Sequence, residues 1–435
     1  MTCYLKHIAC LVLSIILLNA PAASGESSET LQLDLNQCLR LAQENNLDLA
    51  NAFQEVRKAK TDVAIAGGAR LPEVDLTTTY TRMKDEDAVI PGVELPETQA
   101  DLNIGATIPL YTGGLLKSSS KQARTGLAMA KENYRAVSGD ILLETKTLFY
   151  QLLGAQHQVS IARQALNVSR QHEKDIEALL RKGIVAKVDL VRSQLDVAER
   201  ERDLAIADTE ELLASERLSA VLFPHEIRTI SAGGAFPEPV SLVPLEQWQE
   251  QAAKLSPELR MSVLSVQFAQ NDINAARAER RGTLSLFGNY GTSDEEFTLD
   301  ENSTYWNAGI NYTVPLYRGG RVRDNIRQGD SSLLQAENSL TTSRRAVREA
   351  VMIAWSNAKL SVRQSLTASR AIASAEENLR VVTLKYQQGL VPNMDAIDAQ
   401  LAVTRSRLLR IRSLENFNIY FAQLLRTVGS IEEMP

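Results

Sequence analysis

Apolar residues recur along most of this chain at the spacing of amphipathic helices, and two long stretches lack the residues that break helices. No proline lies within residues 110–223, and residues 330–388 contain neither glycine nor proline. Each stretch belongs to a predicted helical hairpin, which turns at Gly183 in the first and at Gly389 in the second. At ~1.5 Å per residue, the second stretch alone predicts a helix of roughly 90 Å, longer than compact domains contain.

Between these helices, apolar and polar residues alternate, which predicts β-strands with one apolar and one polar face. Two strands precede each hairpin, and a further helical pattern, over 35–70 and again over 245–281, precedes each strand pair. Phe287 breaks the alternation, because it falls on the polar face. The loops 82–100 and 292–303 are acidic, which predicts solvent-exposed tips. The predicted strands cover residues 74–80, 102–110, 284–290 and 306–316.

The same order of elements occurs twice, so the sequence predicts an internal two-fold repeat. Two Pro-Leu-Tyr-x-Gly-Gly motifs and the two hairpin turns are each separated by the same 206 residues. We predict a first repeat over 31–222, a proline-containing linker over 223–244 and a second repeat over 245–429. The returning arms of the hairpins are expected to end near Leu222 and Val428.

The duplicated motif marks the place where a strand passes into a long helix. Its proline lies where the sheet needs no hydrogen-bond donor, and its two glycines allow a sharp turn. A phosphate-binding glycine loop is excluded, since neither G-x-G-x-x-G nor Gly-Lys-Ser/Thr follows and no βαβ unit surrounds the motif. The predicted strand–helix junction residues are Pro109, Gly113, Gly114, Pro315, Gly319 and Gly320.

The beginning of the chain has the pattern of an export signal. Lys6 precedes an apolar run over 8–18, and small residues follow, so we predict a signal peptide over 1–24. Two of the three cysteines lie in this segment, which leaves Cys38 alone. A lone cysteine forms no intrachain disulfide, and we expect Cys38 to be a small buried residue on a helix.

Charge and composition exclude several functions. The net charge of −6 gives no basic footprint for nucleic acid. No later segment has the ~18 consecutive apolar residues of a membrane-spanning helix. We interpret Trp355 as a packing residue, and the sequence contains no catalytic or cofactor motif, so it predicts no enzyme, metal site or cofactor. The histidines outside the signal peptide, which lack metal-ligand spacing, are His157, His172 and His225.

Four strands with one apolar face are too few to close a barrel within one chain. About eight strands are the practical minimum, and an open sheet with unpaired edges aggregates. The strands have the length that crosses a bilayer at a tilt. The candidates for an aromatic girdle are Tyr111, Tyr290, Tyr305, Trp306, Tyr312 and Tyr317. Backbone groups that face lipid must be paired. We therefore expect several chains to share one β-barrel in lipid, with a helical tube on one side of the membrane.

The duplicated unit, the Pro-Leu-Tyr-x-Gly-Gly junctions and the glycine-aspartate tips together resemble the TolC-like outer membrane efflux protein family. The resemblance covers about residues 31–429. It implies a mainly α fold with a β-barrel part, namely a homotrimer with a twelve-stranded outer-membrane β-barrel and an α-barrel of long antiparallel hairpins across the periplasm. It also implies a periplasmic adaptor protein and an inner-membrane transporter as partners. The implied function is a passive exit duct for efflux or secretion.

The resemblance also implies roles for residues near the hairpin turns. Asp395 and Asp398 match the family's acidic gate, and their i, i+3 spacing places both on one helical face. Ordinary solvated acids at a helix start are the alternative interpretation. Asp189 and Tyr386 match the lock between hairpins. The family often has an arginine where this chain has Val391, which departs from that lock.

The turns are also candidate docking sites for the adaptor. Ordinary turn chemistry is the alternative interpretation, because glycine is a normal helix stop. Among channel functions, type I protein secretion stays open beside small-molecule or metal efflux. A periplasmic coiled-coil scaffold that forms no channel is a further alternative, but a scaffold needs no lipid-facing alternation. The predicted docking residues are Gly183, Ile184, Val185, Gly389, Leu390 and Val391.

Overall fold

A computed structural model describes residues 30–82, 98–294 and 303–431 of the chain. The predicted signal peptide and most of the two acidic loops lie outside the described residues. The helices are α1 (Leu35–Asn45), α2 (Leu47–Gly68), α3 (Leu115–Arg181), α4 (Lys187–Leu222), α5 (Leu245–Leu255), α6 (Pro257–Ala278), α7 (Arg321–Gln387) and α8 (Asn393–Val428). The strands are β1 (Leu31–Leu33), β2 (Glu73–Arg82), β3 (Thr98–Tyr111), β4 (Ile230–Ala232), β5 (Thr283–Asp294) and β6 (Thr304–Thr313).

The two halves of the chain contain helices of equal length. The long arms α3 and α7 each have 67 residues, and the returning arms α4 and α8 each have 36. The shorter helices agree as well, with 11 residues in α1 and α5 and 22 in α2 and α6. The predicted hairpins are therefore present, and their arms end at Leu222 and Val428 as expected.

Each helix predicted before a strand pair is two helices, so the single helices over 35–70 and 245–281 are wrong. Between α1 and α2, the side chain of Asn46 accepts hydrogen bonds from the backbone N–H groups of Asp48 and Leu49, at 2.8 and 3.0 Å. An asparagine that caps a new helix in this way competes with continuation of the old one. Between α5 and α6, Pro257 lacks the N–H that an unbroken helix needs and begins α6 instead.

Four strands form one antiparallel sheet in the order β2-β3-β5-β6. The pairing of β3 with β5 joins the two halves of the chain. The predicted fourth strand ends at Thr313 rather than at residue 316, since Pro315 has no N–H for a further ladder bond. Within the described residues, the outer edges of β2 and β6 have no partner strand, and large apolar side chains such as those of Leu76, Trp306 and Ile310 are exposed.

Phe287, the exception to the alternation, covers a glycine on the neighbouring strand. It pairs with Gly309, and a Cβ atom at that glycine would lie 3.1 Å from the phenyl ring. Gly291 is covered in the same way by the ring of Tyr305, at 3.0 Å. A large side chain laid over a strand glycine restores the packing that the glycine lacks. The aromatic residues on the polar face therefore have a local structural reason.

The helices lie side by side in the same lateral order as the strands. Near the sheet, neighbouring helices follow the order α2-α3-α6-α7. Farther from the sheet, they follow the order α4-α3-α8-α7. One lateral edge of the chain therefore consists of β2, α2 and α4, while α7 and β6 form the opposite edge. No described helix is long and apolar enough to cross a membrane.

The largest core cluster lies where α1, α3 and α4 meet the short strands. Strands β1 and β4 pair in parallel, a contact that the sequence did not predict because each has only three residues. Cys38 lies on α1 and is fully buried, as expected, and burial raises the pKa of its thiol to about 12. This cluster fixes residues 223–244 against the middle of the long helices.

Residues 223–244, predicted as a linker, also pass across the helices of the second half. The amide of Asn418 on α8 donates to the carbonyl of Pro237 at 3.3 Å, and Glu238 forms a 2.8 Å ion pair with Arg410. On α7, the indole N–H of Trp355 donates to the carbonyl of Val243 at 3.0 Å. Trp355 also packs on the second core cluster, so the predicted packing role is confirmed and a hydrogen bond is added to it.

Candidate functional site at the hairpin tips

The two hairpins turn through glycines with left-handed backbone. Gly183 has φ 70° and Gly389 has φ 71°, a conformation that other residues adopt at a cost. After each glycine the chain bonds back to its helix, with Ile184 N–H donating to the carbonyl of Leu179 and Leu390 N–H to that of Lys385, both at 3.0 Å. These bonds satisfy carbonyls at the helix ends. The turns thus lie where the sequence predicts them.

The residues that follow each glycine present apolar surface at the end of the molecule. The Ile184 side chain is 65% exposed and that of Leu390 is 69% exposed, while Val185 and Val391 are half-buried. Apart from its own chain neighbours, no atom of the described residues lies within 4 Å of a Cβ added at either turn glycine. Two exposed apolar turns are therefore available to a partner, and their role in docking stays a prediction.

Asp395 and Asp398 lie in the first turns of α8 with exposed side chains. The backbone N–H of Asp395 donates to the carbonyl of Pro392 at 3.1 Å, which fixes the start of the helix. Within the described parts of the chain, neither carboxylate forms an ion pair or a side-chain hydrogen bond. Both negative charges therefore face solvent without a positive partner, and their role as a gate stays a prediction.

Asp189 and Tyr386 lie close together, but no hydrogen bond joins them among the described residues. The Asp189 carboxylate accepts from the backbone N–H of Ala186 at 3.3 Å, which caps the start of α4. The Tyr386 hydroxyl is buried and has no hydrogen-bond partner within the described chain. Burial raises the pKa of Tyr386, and the nearby carboxylates of Asp189 and Asp175 raise it further. The lock assignment stays a prediction.

A different polar contact crosses between the hairpins. Nε2 of His172 on α3 lies 2.5 Å from Oδ1 of Asn393, the first residue of α8. The Asn393 amide donates to the backbone carbonyl of Asp189 on α4 at 3.3 Å. We call His172, Asn393 and this carbonyl the tip relay. The sequence does not predict the relay, because His172 and Asn393 are 221 residues apart and neither belongs to a recognisable motif.

The strand–helix junctions are similar in backbone but differ in surroundings. Gly113 and Gly114 have φ values of 64° and 99°, and Gly319 and Gly320 have 59° and 79°. A Cβ at Gly113 would lie 2.4 Å from the carbonyl oxygen of Ala278. At Gly319, no described atom beyond the chain neighbours lies within 4 Å of an added Cβ. The first junction therefore needs glycine for space as well as for conformation.

The two junction prolines differ in position, because one lies inside its strand and the other lies beyond the end of its strand. Pro109 lies inside β3, where the pairing with β5 shifts register before Tyr111. Pro315 lies beyond the end of β6. A missing donor is tolerated at an irregularity and outside the ladder, as predicted from the motif.

Within the described residues, no three His, Cys, Asp or Glu side chains are grouped as a metal site.

The four-stranded sheet carries exposed apolar side chains, and two helical hairpins with arms of 67 and 36 residues continue from it. The family model described as "Outer membrane efflux protein" matches residues 38–222 and 248–430. The chain belongs to this family, which confirms the predicted TolC-like resemblance and the location in the outer membrane. Members of the family are channels rather than enzymes.

Individual relatives match most of the chain. "Outer membrane protein OprJ" of Pseudomonas aeruginosa is 24% identical, over 91% of this chain and 84% of that protein. "Outer membrane protein TolC" of Escherichia coli is 22% identical, over 94% and 85%. The open-state structure of the Neisseria gonorrhoeae MtrE outer membrane channel superposes with a TM-score of 0.76 at 18% identity, covering 91% of this chain and 89% of that one. The two sequence relatives are both named as outer membrane proteins, and the MtrE structure shows the same fold.

Proposed function

We propose that this protein forms a homotrimeric exit duct of a tripartite efflux or secretion system, with a twelve-stranded β-barrel in the outer membrane and a helical tunnel in the periplasm. The duct is passive, and a periplasmic adaptor with an inner-membrane transporter opens its tip. The observation that carries the proposal is the open sheet β2-β3-β5-β6, whose two edges are unpaired within the described chain. The internal duplication supplies two strands per repeat.

The unpaired edges require neighbouring chains in a membrane. Unpaired N–H and C=O groups in hydrocarbon cost several kcal/mol each, so edge β2 of one copy needs edge β6 of the next. Four strands are below the minimum of about eight for a closed barrel. Because the helices follow the same lateral order as the strands, closure of the barrel also closes the helical rows.

Charge supports this pairing of opposite edges. Helix α4, at one lateral edge, contains nine acidic and five basic residues, whereas α7, at the other edge, contains eleven basic and six acidic residues. A negative edge that meets a positive edge favours head-to-tail contacts between identical copies and disfavours like edges meeting. Such contacts form a ring when the rotation closes. The charge pattern therefore supports one directional ring.

Asp395 and Asp398 form the gate in this proposal. Three copies place six unpaired carboxylates around one axis, which attracts cations and narrows the entrance. Asp189 and Tyr386 then act as the lock between the hairpins, and the apolar turns around Ile184 and Leu390 receive the adaptor.

The test of the proposed function is single-channel recording in planar bilayers. The Asp395→Ala Asp398→Ala double variant is expected to show higher conductance and weaker block by multivalent cations, because six negative charges are removed from the entrance. Glu246→Ala, which removes an exposed carboxylate on α5 outside the hairpins, is the matched control and should behave as the parent. Unchanged conductance and block in the double variant would remove the gate assignment.

The oligomer is tested separately. The detergent-extracted protein is expected to migrate as a heat-labile trimer in mild gels, and a monomeric soluble product would contradict the duct. That result would favour the coiled-coil scaffold. The same kind of duct can serve protein secretion or the efflux of small molecules or metals. The adaptor and transporter genes that lie next to the gene for this protein distinguish these two functions.

A further inference from the structure

The direction of the hydrogen bonds in the tip relay is set by its middle residue. The Asn393 amide nitrogen donates to the Asp189 carbonyl, so the Asn393 oxygen faces the imidazole and must accept. His172 therefore carries a hydrogen on Nε2 and donates it. Asn393 is only 2% exposed, so water does not replace these bonds readily. The relay connects α3, α8 and α4 across the two hairpins.

Among the described residues, the side chains that line the cavity beside His172 include two acidic groups and no basic one, and one of the acidic groups, Asp196, forms a 3.2 Å ion pair with Arg200. This cavity of about 390 Å³ lies between α3, α4, α7 and α8. Asp175 on α3 and Asp196 on α4 line this cavity, and the Tyr386 ring on α7 lies 5.7 Å from the imidazole. The groups that face it from α8 are uncharged, namely Ala396, Ile397 and Gln400. A positive charge on the imidazole is thus compatible with every element around it.

The relay is absent from the corresponding places of the sequence repeat. With the offset of 206 residues, His172 corresponds to Asn378 and Asn393 corresponds to Lys187. The two hairpins therefore do not carry two equivalent relays, and this one joins the first hairpin to the helix that bears Asp395 and Asp398. The relay is therefore not a general feature of both hairpins, and its single position allows it to hold α8, the helix of the proposed gate.

We propose that the tip relay holds the closed tip and that protonation of His172 tightens it. The inference rests on the proposed gate at Asp395 and Asp398. The imidazolium still donates from Nε2, and a charge-assisted hydrogen bond is shorter and roughly twice as strong as a neutral one. Acid supplies this proton, so the tip closes more firmly as the periplasm or medium becomes acidic.

The experiment compares open probability in planar bilayers for the parent, His172→Gln, His172→Ala and Asn393→Ala. At pH 7.5, the two alanine variants should open about fivefold more often, the effect of one ordinary hydrogen bond, and the double alanine variant no more than either. Glutamine keeps an N–H donor but does not titrate. His172→Gln should therefore stay closed at neutral pH and lose the added closure that the parent gains between about pH 7.5 and 5.5.

Controls separate this inference from the gate itself. His225→Gln changes an exposed histidine outside the tips and should keep the parent profile. Recording in the Asp395→Ala Asp398→Ala background removes the acidic ring as a source of any pH dependence. If His172→Gln keeps the pH dependence of the parent in that background, the relay is not the sensor. If the background variant itself conducts as the parent, the proposed gate fails instead.

Discussion

The clearest energetic prediction concerns Gly113 and its counterpart Gly319. Both have left-handed backbone, with φ of 64° and 59°, so alanine costs about 1–2 kcal/mol at either place for conformation alone. At Gly113 the added methyl group would also lie 2.4 Å from the Ala278 carbonyl oxygen and 2.9 Å from Cβ of Arg281. Neither atom is at the end of a flexible side chain, so overpacking adds about 1–3 kcal/mol.

Gly113→Ala should therefore lower the free energy of unfolding by about 2–5 kcal/mol per chain, and Gly319→Ala by only about 1–2 kcal/mol. The assay is urea unfolding of the detergent-extracted protein, followed by the helical circular dichroism signal. The midpoint should shift while the slope is unchanged. Equal shifts for the two variants would refute the reasoning, because the extra cost at Gly113 comes only from its close neighbours.

Two further predictions concern titratable groups whose pKa is raised by burial. Burial raises the pKa of Glu415 to about 7, with Arg412 opposing and Glu210 adding to the shift. The unfolded chain ionises this carboxyl more readily than the folded protein does, so the folded protein loses stability as the pH rises through about 7. Glu415→Gln should therefore be about 1–3 kcal/mol more stable than the parent at pH 8 and equal to it near pH 4. Urea midpoints at both pH values check this, with exposed Glu337→Gln as control, and an equal gain at pH 4 would contradict it. Cys38 is fully buried and its pKa is raised to about 12, so an alkylating reagent at pH 8 should modify it only in urea, as mass spectrometry would show. Rapid modification of Cys38 in the folded protein would contradict its protection by burial.

Local patterns predicted most of the secondary structure. The turns at Gly183 and Gly389 follow from glycine in a long helical pattern, and the four strands follow from a period of two. The break at Asn46 was missed, because the apolar spacing continues through it and only the capping bonds reveal the new helix. Phe287 looked like an exception until its pairing with Gly309 was known.

The tip was predicted in part. The positions of Asp395 and Asp398 on one exposed helical face follow from their spacing and from the turn before them. The tip relay could not be predicted, because His172 and Asn393 are 221 residues apart in the chain and neither stands in a pattern. The pairing of β1 with β4 was missed for the same reason, since three-residue strands carry too little alternation to be recognised.

The equal lengths of α3 and α7 act as a molecular ruler. At ~1.5 Å per residue, helices of 67 residues each place their ends about 100 Å from the sheet, so both tips reach one plane. A deletion in only one long helix would raise one tip above the other and separate His172 from Asn393. Tube length in such a protein can therefore change only when both halves, and both returning arms, are shortened or lengthened together.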